Sequence, residues 1–259
     1  MDNFESYSDM FVNAVKYGIS NKRVILAWGA IGLVAYIIFF IGYITVLLNF
    51  RSIWALVIFA LAAIPIIVIG VLSIGYMCRC LRGLLGGNNT APGLSEPVEL
   101  VVDSIKMLFI YLEAIIGIAI VFIPMLLVLL TMKTGSSGTI LICLLYPIEL
   151  ALSISIVSLN VIQWAVFADT GSLLKGLNPI TPIRLVLADL KNSVMIAVLA
   201  FILYLSYSII VGICTALVCT FVIVPFTLIP FYCAGMYLLA RFYRRATGKG
   251  IETPPQPTV

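Results

Sequence analysis

Apolar residues fill long stretches of this chain on every face, and short segments in which polar and apolar positions separate lie between them. Six runs predict helices at about 24–48, 53–78, 107–131, 139–168, 193–216 and 221–242. Each holds 20 or more residues, and a 20-residue helix spans the ~30 Å of bilayer hydrocarbon. Period-two alternation is absent, which excludes a closed barrel. The last two runs nearly merge, so the turn near Val218–Thr220 is inferred from length alone.

The amphipathic segments repeat. Tyr7-Ser8-Asp9-Met10-Phe11-Val12-Asn13-Ala14-Val15-Lys16 aligns without a gap to 97–106 (Pro97 to Lys106) and to 182–191 (Pro182 to Lys191). Four apolar columns and the final Lys are shared, which makes this an internal repeat. On a helix, Phe4, Tyr7, Phe11 and Val15 gather on one side, with Asp2, Glu5, Asp9 and Asn13 opposite. Such a helix lies in the headgroup plane with its apolar side buried. The fold class expected is an all-α membrane protein of six transmembrane helices. They form three parallel two-helix repeats, each preceded by a cytoplasmic-side amphipathic interfacial helix, in a pseudo-threefold arrangement. The membrane domain covers 1–245, with units at about 4–83, 95–170 and 180–245, and 246–259 is a disordered cytoplasmic tail.

Composition agrees: 63% hydrophobic and 10% charged residues, with mean hydropathy +1.19, leave too little polar surface for a water-soluble globule. Charge sets the orientation. Thirteen of the 15 Lys and Arg residues fall on one side of the spans, and Arg51 and Lys133 fall on the other. The positive-inside rule then places both termini and the long connections in the cytoplasm of a cell membrane.

The stretch Gly75-Tyr76, Arg79, Arg82, Gly86-Gly87, Pro92 and Asp103-Ser104-Ile105-Lys106 resembles the hallmark of the membrane family called "domain of unknown function 4013". The likeness extends to the amphipathic start and to Ala240-Arg241-Phe242-Tyr243. Gly93-Leu94-Ser95-Glu96 stands where the family usually has aromatic and acidic residues. The resemblance implies a six-span integral membrane protein of unknown activity and archaeal source.

Candidate chemistry is sparse. The chain has no histidine, which removes the usual zinc-protease helix, Ser–His hydrolysis and haem ligation by His. Cys78-x-Cys80 lacks a matching second pair, so no metal site is expected, nor any cofactor or disulfide. Gly86-Gly87-Asn88-Asn89 reads as a flexible cytoplasmic turn. Glu113 and Glu149 are the acids well inside spans, where burying a charge is costly. At ~1.5 Å per residue, Glu113 lies about 10 Å beyond Lys106, and Glu149 about 30 Å from Asp169. The two are too far apart in depth to form an acid–base pair. Glu149, Ser153, Asn160 and Gln163 fall within an arc of about 80° on the fourth span. The stripe either lines a hydrated path or, as expected, hydrogen-bonds across the bundle; Glu149 can also snorkel toward Lys133 or Arg51. Arg79 and Arg82, with Arg241, Arg244 and Arg245, stand at matching ends of spans two and six. They either contact anionic lipid headgroups or simply set the topology.

The sequence therefore favours a non-enzymatic membrane scaffold or complex component that meets lipids or partners at the cytoplasmic leaflet. The alternative is a transporter or channel for a small solute or proton using the polar stripe. A lipid-modifying enzyme has least support. Membrane lipids and a membrane-protein partner or homo-oligomer are the expected partners; nucleic acid is not.

Overall fold

Asn21 shows why the chain turns after its first amphipathic segment. Its side chain accepts a hydrogen bond from the Val24 amide (3.2 Å), which caps the next helix. The computed structural model describes residues 6–49, 52–131, 136–216 and 220–248, and the described residues are helical with no strand among them. In order they form α1 (Tyr7–Gly18), α2 (Lys22–Leu48), α3 (Ile53–Leu85), α4 (Pro97–Val121) and α5 (Ile123–Thr131). They continue as α6 (Ser136–Thr170), α7 (Leu173–Gly176), α8 (Ile180–Ala188), α9 (Leu190–Ala216) and α10 (Thr220–Ala246). Among the described residues, six helices are long and apolar enough to cross a membrane: α2, α3, α4, and the stretches Leu141–Thr170, Leu190–Cys214 and Ile223–Ala246. The expected six spans are therefore present. Phe4, Lys133, Arg51, most of the last turn and most of the tail lie outside the described residues.

The three amphipathic segments fold differently from one another. The first is a separate helix, α1, and the third is α8, which ends where Asp189 leaves helical geometry (φ −142°). The second has no break: α4 begins at Pro97, where a missing N–H costs nothing, and runs through Lys106 into the span. No glycine or proline stands between Pro97 and Gly117 to stop it. The face of α1 also differs from expectation. Met10, Ala14 and Tyr17 are buried, Tyr7 and Phe11 pack partly against the same core, and Val15 is exposed. The short side chains let α1 approach α10 closely: a Cβ on Gly18 would lie 2.4 Å from the Pro230 carbonyl oxygen.

The helix α10 is the centre of the bundle. Half of its apolar stretch is buried, against 6% in α6. It touches α1, α2, α3, α6, α8 and α9, while α3 also meets α2, α4 and α6. The second helices of the three hairpins, α3, α6 and α10, thus all meet one another. The helix α2 leans on α10 and α4 leans on α3, but α9 does not close on α6. A groove of about 440 Å³ lies there instead, between Val157, Val161, Val194 and Ala197 and floored by Leu238.

Packing is concentrated at the end carrying the basic clusters. Tyr17, Tyr76, Cys80, Leu81, Met107, Phe167, Cys233 and Leu238 are nearly inaccessible there. Away from it, Ile41, Leu61, Ile67, Ile120 and Phe201 are about six-tenths exposed. That wall of bare apolar side chains suits hydrocarbon rather than water. The Cys80 and Cys233 sulfurs lie 3.6 Å apart as free thiols. They hold α3 to α10 as small apolar groups.

The segment between α3 and α4 is tied down rather than loose. Asn88 donates its amide to Gly83 O (2.9 Å), and Gly87 takes a positive φ of 92° that suits glycine. Ala91 N reaches Ser20 Oγ (2.9 Å), Asn21 Nδ2 reaches Ala91 O (3.1 Å), and the Tyr76 hydroxyl reaches Pro92 O (2.9 Å). Asn21 therefore both caps α2 and anchors this segment. Asn21→Ala is expected to cost about 1–2 kcal/mol, read as a lower thermal midpoint in detergent. No change would show that the cap and the anchor are dispensable.

Candidate functional site

Two groups of polar side chains lie inside the spans. Nearer the basic end, Asn160 Nδ2 donates to the Ile110 carbonyl (2.7 Å) and to Gln163 Oε1 (3.0 Å). Gln163 Nε2 in turn donates to Glu113 Oε2 (3.2 Å). Asn160 and Gln163 are each 4% exposed. Their amides bridge α6 to α4, so the stripe hydrogen-bonds across the bundle at this level, as polar groups in lipid commonly do.

Glu149 forms the second group. Pro124 lies just after the break between α4 and α5, and its ring cannot donate to the preceding turn. Glu149 Oε1 accepts the Met125 amide (3.1 Å) at the first turn of α5, where helix amides lack intrahelical partners. The side chain is buried and turned inward onto α5, not outward as a snorkelling carboxylate would be. Its Oε2, and Ser153 Oγ one turn along, are buried without a hydrogen-bond partner. Glu113 and Glu149 belong to separate clusters, as their depths require.

The basic residues divide by what they touch. Arg82 forms a two-pronged ion pair with Asp103, Nη1 to Oδ2 at 2.9 Å and Nη2 to Oδ1 at 3.1 Å. Arg79 donates to the carbonyls of Ser95 and Glu96 (2.9 Å to the latter). Both arginines thus fasten the start of α4, and Glu96 there holds a positive φ of 61°. Arg241 donates to the Tyr237 hydroxyl (2.6 Å), with its guanidinium 4.9 Å from that ring's centroid. Arg245 lies over the Tyr7 ring at 5.6 Å, and Arg244 is half-buried beside it. Tyr7 in turn hydrogen-bonds Asn192, and Tyr243 donates to Asp169 (3.0 Å), so α1, α6, α9 and α10 are joined at this end. Burial holds the Tyr17 phenol well above its usual range, with the neighbouring Cys80 adding to the shift.

A cavity of about 490 Å³ lies between α2, α3, α4, α6 and α10, lined by Tyr36, Tyr111, Trp164, Phe231 and Tyr232. The Trp164 indole N–H is buried there without a hydrogen-bond partner. The sequence pattern did not point to this cavity. Its trace in the sequence is Gly70 and Gly235, where a Cβ would meet nothing within 4 Å. Among the described residues, no cluster of three or more His, Cys, Asp or Glu side chains can hold a metal.

Long apolar helices, a lipid-suited outer wall and polar side chains that hydrogen-bond between helices define a multi-pass helical membrane protein. Residues 58–224 match the family described as "Protein of unknown function (DUF4013)", which is more than half of the chain. The chain belongs to that family. No curated protein and no solved structure matches it.

Proposed function

We propose that this protein is a non-enzymatic membrane scaffold or membrane-complex component. It sits in the cell membrane with both termini in the cytoplasm and holds lipids or a partner at the cytoplasmic leaflet. The architecture proposed with it is three hairpins repeated about the membrane normal. The mutual contacts of α3, α6 and α10 support this, and the α6–α9 groove is the one departure.

The observation that carries the reading is how polar groups are divided along the bundle. Inside the spans, Asn160, Gln163 and Glu113 are bonded to one another or to backbone, and Glu149 caps a broken helix. At the basic end, charged and aromatic side chains crowd onto the surface around α1 and α10. Binding anionic headgroups or an acidic partner uses that end and needs no path between the leaflets. Transport along the α6 stripe is the competing reading, favoured by the orphaned Glu149 Oε2 and Ser153 Oγ.

Proteoliposomes carrying a trapped pH-sensitive dye separate the two. The scaffold reading expects proton leak equal to that of protein-free vesicles, unchanged by Glu149→Gln. A proton flux present in the wild type and lost in Glu149→Gln would replace it with transport.

A further inference from the structure

Three seams separate the hairpins, and two of them are closed: α3 packs on α4, and α10 packs on α2. The third, between α6 and α9, is the open groove of about 440 Å³. Along α9 it runs from Leu190 to Ala200, which is about 15 Å of helix, or half of the ~30 Å of hydrocarbon. The groove is therefore one leaflet deep, and it starts at the basic end.

Its walls suit hydrocarbon. Val157 and Val161 stand on one side, Val194 and Ala197 on the other, and Leu238 forms the floor. The serine hydroxyls beside them are bonded to backbone, Ser158 Oγ to Ile154 O (2.8 Å) and Ser193 Oγ to Asp189 O (2.8 Å). A helix with its side chains fills on the order of 120 Å³ per residue, so this volume would take roughly one turn of it. An unbranched hydrocarbon chain is thinner, and it brings no polar group that needs a partner.

The mouth of the groove carries a charge. Lys191 follows Leu190 and stands one turn before Val194, so it shares a side of α9 with the groove wall. It is exposed, and no hydrogen bond or ion pair engages it among the described residues. Asp189, two residues earlier, is turned to Asn192, whose Nδ2 donates to its Oδ2 at 2.6 Å.

We propose that the α6–α9 groove holds one chain of an anionic membrane lipid from the leaflet at the basic end, with the headgroup at Lys191. The lysine stem lies along the apolar wall while its ammonium meets the headgroup. The proposal deepens the lipid-holding reading, and it rests on that reading for this leaflet being the cytoplasmic one.

Native mass spectrometry of the full chain, released from mild detergent with added phosphatidylglycerol or phosphatidylcholine, tests it. The wild type is expected to retain phosphatidylglycerol. Lys191→Gln should weaken that binding about fivefold, the effect of one lysine beside an anionic headgroup, and leave phosphatidylcholine unchanged. Ala197→Phe should remove one retained phosphatidylglycerol, because the ring fills the groove. Ala197 is exposed, so this variant leaves the core intact. Lys175→Gln, on α7 and outside the groove, should change nothing. Phosphatidylglycerol binding that Lys191→Gln and Ala197→Phe both leave intact overturns the groove, while leaving a lipid-holding surface elsewhere at this end. Equal loss of both lipids in Ala197→Phe, with no effect of Lys191→Gln, overturns the choice of an anionic headgroup. A wild-type dimer that Ala197→Phe dissociates gives the groove to a second copy instead. No phosphatidylglycerol on the wild type overturns the proposal outright.

Discussion

Gly75→Val should lower the stability of the protein by about 3 kcal/mol or more, because α3 and α4 meet there with no room for a side chain. A Cβ at this position would lie 2.1 Å from Ser104 Oγ and 2.5 Å from the Leu100 carbonyl oxygen. The hydroxyl could rotate away, but the carbonyl belongs to the α4 backbone. The helices must therefore separate, and close approach through small residues is a main source of attachment between helices in lipid. Ser104→Gly should not rescue the variant, since the carbonyl contact remains. Gly70→Ala is the control: a Cβ there meets nothing within 4 Å, so the change should be neutral or stabilising by up to ~1 kcal/mol. Thermal unfolding in detergent, followed by tryptophan fluorescence, reads all three. A Gly75→Val protein as stable as wild type would mean that α3 and α4 are not this close.

Arg82→Ala is expected to have the next largest effect, and to be worse than Asp103→Asn. The side chain of Asp103 is 8% exposed and that of Arg82 44% exposed, so the two ends of the pair respond differently to losing a partner. A stranded Asp103 carboxylate stays buried and unpaired, whereas a stranded Arg82 can turn to water. Surface pairs contribute about 0–1 kcal/mol, and breaking a fully buried pair costs about 3–5 kcal/mol. Given the exposure of Arg82, about 2 kcal/mol is expected for Arg82→Ala. Asp103→Asn keeps one hydrogen bond and should cost about 1 kcal/mol. Unfolding midpoints of the two variants and of their combination give the coupling directly. Equal losses for both single variants would show that Asp103 reaches solvent.

The spans were legible because bilayer thickness demands a length of apolar chain that few other structures need. The bounds of α2 and α3 begin within two residues of the expected ones for that reason. The second amphipathic segment was not legible as part of α4, because a shared pattern of polar columns says nothing about whether a helix stops at Lys106. Arg79 and Arg82 looked like Arg241 in the sequence, each a cation at the end of a span. Only the positions of Asp103, Ser95, Glu96 and Tyr237 show what each of the three is bonded to within the chain. The stripe on α6 was readable as a helical face, and its partners at Ile110 and Met125 were not, since both are backbone groups.

A protein that holds lipid or a partner at its basic end should select lipids by their charge. Wild-type protein can be equilibrated in mixed micelles with equal amounts of phosphatidylglycerol and phosphatidylcholine, and its retained lipids counted by native mass spectrometry. Phosphatidylglycerol should be retained preferentially, with the preference falling as salt is raised because exposed charges are screened. Equal retention of the two lipids at low salt, together with no captured protein partner, would contradict it.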